Sequence, residues 1–289
     1  MSDALQLDDW GGTGPVLHLA HANGFPPGSY RKLIELLKPR YRVVTLRSRA
    51  LVPGSDPLTL RSWHDLADEL AHGLHSRGLE GVVGVGHSVG GVASLLASVK
   101  APGLFRAVVA MDPVLVTGRR LLMLHAVSLL GLRSRIPLAS GARRRRDGWG
   151  SREEVAASYR KKPLFQRFDP ESFQDYLTHG LVETPEGGVR LAIPAAWEAR
   201  VFETIPVDVW RGLRAVTVPA LVVRGESTDT LTPEALARVR RTVPGVSTDA
   251  LPGTHLFPLE QPEACARRIL AFLDSLDAAP EESVTPRRT

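Results

Sequence analysis

The chain has 289 residues, 43% hydrophobic and 23% charged, which is ordinary globular usage and excludes collagen-like, coiled-coil and largely disordered classes. Its one cysteine, Cys265, leaves no intramolecular disulfide and no Cys-based zinc cluster, so a reducing, cytoplasmic setting is expected. The formal net charge of +5 sits in the middle of the chain: residues 117–205 carry 15 Lys/Arg against 10 Asp/Glu, and the rest carries 21 of each.

Residues 1–9 are acidic and lack the apolar core of a secretory signal, so none is expected. Short apolar runs then alternate with helical patterns, the signature of a parallel sheet flanked by helices. Val16-Leu17-His18-Leu19-Ala20 reads as a strand, followed by a Gly/Pro-rich turn and a helix marked by Tyr30, Leu33, Leu36 and Leu37. Arg42-Val43-Val44-Thr45-Leu46 is a second strand, and Trp63, Leu66, Leu70 and Leu74 mark a second helix. Gly81-Val82-Val83-Gly84-Val85 is a third strand with a helix from Gly90 to Val99. Ala107-Val108-Val109-Ala110-Met111 is a fourth, stopped by Asp112-Pro113.

The alternation breaks from about Val114 to Ile205. This stretch opens with the chain's longest apolar run, residues 121–132, which is too short to span a bilayer, so no stable membrane insertion is expected. Arg143-Arg144-Arg145-Arg146 follows. No nucleic-acid recognition motif backs these arginines, so no nucleic-acid partner is expected and a solvated loop is the favoured reading. Strand and helix resume with Ala220-Leu221-Val222-Val223-Arg224, a helix over 233–241, a strand over 246–251 and a last helix over 261–276. The expected organisation is a core in two parts, 1–115 and 206–276, an insertion over 116–205, and a disordered tail over 277–289.

The chemistry concentrates after the third strand, in Gly86-His87-Ser88-Val89-Gly90-Gly91. This is G-x-S-x-G in a strand–turn–helix context, where a sharp turn lifts the serine hydroxyl clear of the sheet. Ser88 is the expected nucleophile. A dinucleotide loop would need a glycine where Val89 stands. Of nine histidines, His255 follows the last strand in a Gly- and Pro-bounded loop, at the sheet edge where active groups of open α/β sheets collect, and is the expected base. Asp229, just past the strand at 220–224, is the favoured orienting acid, with Asp112 at the end of the fourth strand and Glu226 as rivals. For an oxyanion, the N–H of Val89 is one donor, and the loop His21-Ala22-Asn23-Gly24-Phe25-Pro26 should supply another. Asn23 is favoured, with Gly24 and Phe25 as alternatives.

These motifs, in the order Ser88, Asp229, His255, resemble the α/β-hydrolase superfamily, in the branch with a cap inserted after the sixth sheet strand. The resemblance covers residues 14–115 and 206–275, and residues 165–202 are similar to caps of bacterial and fungal hydrolases carrying a His-Ala-Asn-Gly-Phe-Pro loop. It implies an α/β fold with a mostly parallel sheet of seven or eight strands, helices on both faces and a mainly helical cap. Two departures stand out: His21-Ala22 replaces the usual His-Gly pair, and the first hairpin is short, with only Ala4–Leu7 as its first strand before the glycine-rich residues 11–14.

The implied activity is cofactor-free, metal-free hydrolysis of a small or medium acyl substrate, a carboxylic ester first. The same triad would serve a carbon–carbon bond hydrolase, lactonase, amidase or thioesterase, and a ligand-binding receptor with little turnover is the reading from another class. A lipase whose run over 121–132 touches lipid is a third. Expected substrate contacts are His21, Gly24, Phe25, His87, Leu121, Leu124, Trp197, Phe202 and Leu256, with the 121–132 run roofing Ser88. No motif specifies an oligomeric state.

Overall fold

The computed structural model describes residues 5–278. Ala4 of the expected first strand, and residues 279–289 of the expected tail, lie outside them. In chain order the strands are β1 (Leu7–Gly11), β2 (Val16–Ala20), β3 (Arg42–Leu46), β4 (Val82–His87), β5 (Phe105–Met111), β6 (Gly148–Trp149), β7 (Leu181–Glu183), β8 (Val189–Leu191), β9 (Ala220–Gly225) and β10 (Ser247–Leu251). Seven form one sheet in the order β1-β3-β2-β4-β5-β9-β10. Only β1 runs antiparallel, and it pairs with β3 rather than forming a hairpin with β2. Strands β6, β8 and β7 form a small antiparallel sheet of their own.

The edge strands β1 and β10 are partly exposed, whereas both faces of the central strands β2, β4, β5 and β9 are buried, which is why these read as near-continuous apolar runs. Their side chains still alternate. Leu17, Val83, Val109 and Leu221 enter one core, and Val82, Val108 and Val222 enter the other. Helices α1 (Arg31–Leu37), α12 (Phe257–Glu260) and α13 (Pro262–Asp277) contribute to the first core. Helices α2 (Trp63–His75), α3 (Val89–Lys100), α10 (Val209–Leu213) and α11 (Pro233–Thr242) contribute to the second. The α2 start is held by a capping box of Ser62 and Asp65, which satisfies backbone donors that a helix start otherwise leaves open.

Between β5 and α10 the chain forms α4 (Gly118–Leu129), α5 (Pro137–Arg143), α6 (Arg152–Tyr159), α7 (Pro163–Gln166), α8 (Pro170–His179) and α9 (Ala195–Glu203), with the small sheet among them. An aromatic cluster joins this segment to the loop after β2: Phe25 lies 5.4 Å from the Tyr176 ring and 6.0 Å from Phe168, and Tyr159 stacks on Phe165 at 4.6 Å. Such pairs contribute about 0.5–1.5 kcal/mol each beyond buried area. Lys32 of α1 reaches Asp169 at 2.7 Å, Glu263 at 2.8 Å and Glu171 at 3.3 Å. Burial opposes its charge, and hydrogen bonds to those three carboxylates outweigh that, holding Lys32 above the ordinary lysine range.

The arginine run is solvated only in part: Arg143, Arg144 and Arg146 are exposed, whereas Arg145 is half-buried. Arg143 pairs with Glu203, Arg145 with Glu198 at 2.6 Å, and Arg146 with Glu154 at 2.9 Å, so only Arg144 lacks a carboxylate partner among the described residues. The apolar run over 121–132 also departs from expectation. In α4 only Leu124 is buried, while Leu122, Met123, Leu129 and Leu130 face outward. No helix among the described residues is long and apolar enough to cross a membrane.

Candidate active site

Strand β4 ends at His87 and α3 begins at Val89, leaving Ser88 alone to make the turn. Its backbone sits at φ 57° and ψ −122°, a region costing roughly 1–3 kcal/mol for a residue with a Cβ. The flanking glycines permit that turn. A Cβ on Gly86 would stand 2.4 Å from Gly90 O, and one on Gly90 would stand 2.4 Å from Ala20 O and 2.6 Å from His21 O. The hydroxyl is thereby brought to the C-terminal edge of the sheet.

His255 meets it there. His255 Nε2 lies 3.0 Å from Ser88 Oγ, and Nδ1 lies 2.6 Å from Asp112 Oδ2. A carboxylate only accepts, so Nδ1 carries a proton, and the tautomer protonated there alone turns a bare Nε2 to the serine hydroxyl. Asp112 is fully buried, and its carboxylate also accepts from the Gly225 N–H at 2.9 Å and the Thr228 hydroxyl at 2.7 Å. Glu260 accepts from the Thr254 N–H and hydroxyl, bracing the loop that carries His255.

The structure does not bring Asp229 to His255. Its side chain is exposed at the cavity rim and its carbonyl accepts from Arg120 at 2.9 Å. The physical reason lies in how β9 ends. The N–H of Gly225, the last residue of that strand, and the Thr228 hydroxyl just past it both donate to Asp112, which directly follows the neighbouring β5. Glu226 is also exposed, its N–H spent on Leu251 O. The carboxylate that meets His255 is therefore that of the rival Asp112, and the order serine, acid, histidine along the chain is unchanged.

Ser88, His255 and Val89 line a cavity of about 660 Å³ with Asn23, Phe25, Phe202 and Leu256. The backbone N–H groups of Asn23, Gly24 and Val89 donate to no protein acceptor among the described residues. Asn23 Nδ2 donates to Glu198 O at 2.9 Å, tying that loop to α9. Other expected substrate contacts lie elsewhere. Leu124 lines an adjoining cavity and Leu121 lines neither. His21 and Trp197 line a separate cavity of about 90 Å³ behind Val89. Gly24 packs beside the Glu198 carboxyl. The roof over Ser88 comes instead from α5, α7 and α9, through Leu138, Phe165 and Val201. No residue of the 121–132 run lines this cavity; α5 and α9, which pack on each other, line it instead.

His87 is fully buried and reaches no cavity. Its Nε2 lies 2.8 Å from His255 O, and since a carbonyl only accepts, Nε2 carries the proton. Burial first, and nearby His255 second, hold its pKa well below the ordinary value, so the ring is neutral and Nδ1 is bare. The Tyr30 hydroxyl, 2.7 Å away, donates to that nitrogen and accepts from the Ala22 N–H at 3.2 Å. One hydrogen-bonded path thus links the loop after β2 to the loop carrying His255. Tyr30, Thr228 and Glu260 carried no sequence signal of this, because each acts through partners distant along the chain. Among the described residues no cluster of three or more His, Cys, Asp or Glu side chains could hold a metal ion.

A family model described as "Alpha/beta hydrolase family" matches residues 17–268. The chain is similar to a 2-(acetamidomethylene)succinate hydrolase of Mesorhizobium japonicum, 26% identical over 267 residues that cover 91% of this chain and 90% of that protein. The solved structure of an E-2-(acetamidomethylene)succinate hydrolase matches with a TM-score of 0.77 at 24% identity, covering 93% of this chain and 95% of the other. The peroxisomal α/β-hydrolase Lpx1 of Saccharomyces cerevisiae matches with a TM-score of 0.73 at 19% identity, covering 96% and 82%. At these identities the two structures establish the fold.

Proposed function

Because the chain belongs to the Alpha/beta hydrolase family, we propose that it is a serine hydrolase of small or medium carboxylic esters, with Ser88 as nucleophile, His255 as base and Asp112 as orienting acid. One observation carries the reading: the unbroken hydrogen-bonded line from Asp112 through His255 to Ser88, opening into a cavity large enough for such a substrate. Ser88 Oγ attacks the acyl carbon while His255 Nε2 takes its proton. The carbonyl electron pair moves to oxygen, where the N–H groups of Val89 and Asn23 receive it. When the pair returns, the bond to the leaving oxygen breaks and His255 gives that oxygen the proton. Water, deprotonated by His255, then attacks the acyl-enzyme, and Ser88 leaves with the proton restored. Preorganised donors of this kind contribute on the order of 10²–10³ in rate each. Residues 116–205 act as a cap over this site.

Similarity to a hydrolase of 2-(acetamidomethylene)succinate over 91% of the chain supports hydrolysis of an acetamido or related amide bond as a second reading at the same site. A fluorophosphonate probe, followed by ester and amide substrates of graded length, tests both. Labelling of Ser88 that vanishes in Ser88→Ala, with turnover lowered by about 10⁴-fold or more, is the expected result. Labelling that persists in Ser88→Ala overturns the assignment.

A further inference from the structure

The cavity that opens at Ser88 is not uniformly apolar. Its wall also holds Arg145, Lys162 and Glu198, and of the two cations only Arg145 is paired with that carboxylate. Arg145 is four-fifths buried. Its Nη1 donates to Glu198 at 2.6 Å, and its Nη2 donates to the hydroxyls of Tyr159 and Tyr176 at 2.9 Å each. A guanidinium has five N–H donors, so Nε–H and one Nη1–H have no acceptor among the described residues. Lys162 Nζ stands 4.0 Å over the Tyr159 ring and has no carboxylate within ion-pair distance among the described residues. Burial, and then the like charge of Arg145, make its proton easier to lose. Asp229, the other acid on the cavity, lies exposed at the rim, where water screens it.

Cross-linking of α5, α6, α8 and α9 accounts for the bonds Arg145 makes to Glu198, Tyr159 and Tyr176. It makes no use of the remaining guanidinium donors, and the Lys162 ammonium, held over the Tyr159 ring, stands on the same wall with no carboxylate of its own among the described residues. An anionic group lying between Arg145 and Lys162 would satisfy both. We infer that this site, granted the serine-hydrolase reading on which the inference rests, takes substrates bearing a carboxylate remote from the bond that is cleaved. A carboxylate suits a guanidinium with donors to spare, since charge-assisted bonds to it are short and directional.

Matched substrates test this in the full chain. One pair is 4-nitrophenyl hemisuccinate and 4-nitrophenyl pentanoate, with the carboxylate on the acyl side. The other is 3-acetoxybenzoate and 3-methylphenyl acetate, with it on the leaving side. In at least one pair, the ratio of kcat/KM for anion over neutral should fall about tenfold or more in Arg145→Gln and severalfold in Lys162→Met, chiefly through KM. Added salt should lower the wild-type ratio, and Arg144→Gln, whose side chain reaches no cavity, should leave it unchanged. Lys162 is exposed and unpaired, so its variant keeps the inference testable should Arg145→Gln fold poorly. Succinate should also slow fluorophosphonate labelling of wild-type Ser88 more than that of Lys162→Met. Hydrolysis of the neutral esters with ratios unmoved in both variants and no protection by succinate overturns the inference and leaves the hydrolase reading intact. Absence of labelling and of all turnover overturns the hydrolase reading, and the inference with it.

Discussion

Asp112 and His255, 143 residues apart in the chain, meet at 2.6 Å on the sheet edge, and the Asp112 carboxylate is wholly shielded from water. An amide in that position would present a donor as readily as an acceptor and favour the wrong imidazole tautomer. Asp112→Asn should therefore lower kcat by about 10³–10⁴-fold with the fold retained, since Asn tolerates the positive φ of 44° at this position. Asp229→Asn should cost less than about tenfold by the same reasoning, as it removes no bond to His255. Steady-state kinetics on one ester, with circular dichroism as the fold control, rank the two. The opposite ranking would return the acid to the loop after β9.

The path from Ala22 through Tyr30 and His87 to His255 O gives a second expectation. Tyr30→Phe leaves the Ala22 N–H and His87 Nδ1 buried without partners, a loss of about 1–3 kcal/mol of stability. Urea denaturation measures it. His87→Ala should slow turnover by no more than about 10²-fold, far less than His255→Ala, because His87 positions a carbonyl and moves no proton. Equal losses in the two alanine variants would contradict the assignment of His255 as base.

Stability should fall in acid. Burial is the main reason that His18 is pushed down to about 3, and its Nε2 accepts from the Leu46 N–H at 3.1 Å. His87 is depressed as well. Both bind protons in the unfolded chain below about pH 6.5 but not in the folded one, so the stability they contribute is complete above that pH. It is lost as pH drops toward 3, at about 1.4 kcal/mol per unit for each histidine. Unfolding midpoints between pH 7 and 4 should show this slope, and His18→Gln should flatten it by one histidine's share. An unchanged slope would mean that His18 is already protonated in the fold.

Ser88 itself carries strain at φ 57°. A glycine adopts that backbone freely, whereas alanine does not. Ser88→Gly should thus unfold no earlier than Ser88→Ala, despite the roughly 0.5–1 kcal/mol that glycine ordinarily costs. Paired thermal melts decide it, and a clearly lower Tm for the glycine variant would show that the turn holds no strain.

The sheet was legible from the residues because it depends on local patterning. Val16-Leu17-His18-Leu19-Ala20 and Ala220-Leu221-Val222-Val223 are apolar on both faces, and such runs fit only strands covered by helices on both sides. The turn at Ser88 was equally legible, because its close approaches involve Gly86 and Gly90, two residues away on either side. Identity of the acid was not. Strands β5 and β9 are adjacent and parallel, so Asp112 and Asp229 leave the same edge, and either would keep the chain order. Only the folded chain, with the Gly225 N–H and Thr228 hydroxyl donating to Asp112, shows which of the two meets His255.

The inserted segment hid its arrangement for a related reason. Residues 121–132 are apolar enough to be a roof, yet burial depends on what else competes for the space, and α5 and α9 occupy it. Arg143-Arg144-Arg145-Arg146 looks like four equivalent charges in sequence. The turn that follows α5 and the positions of Glu203, Glu198 and Glu154 send three of them to different partners, and only Arg145 reaches the cavity shared with Ser88. Composition reports that charge is present. Which charge loses its water, and beside what, is set by contacts between residues as far apart as Arg145 and Glu198, which no local pattern encodes.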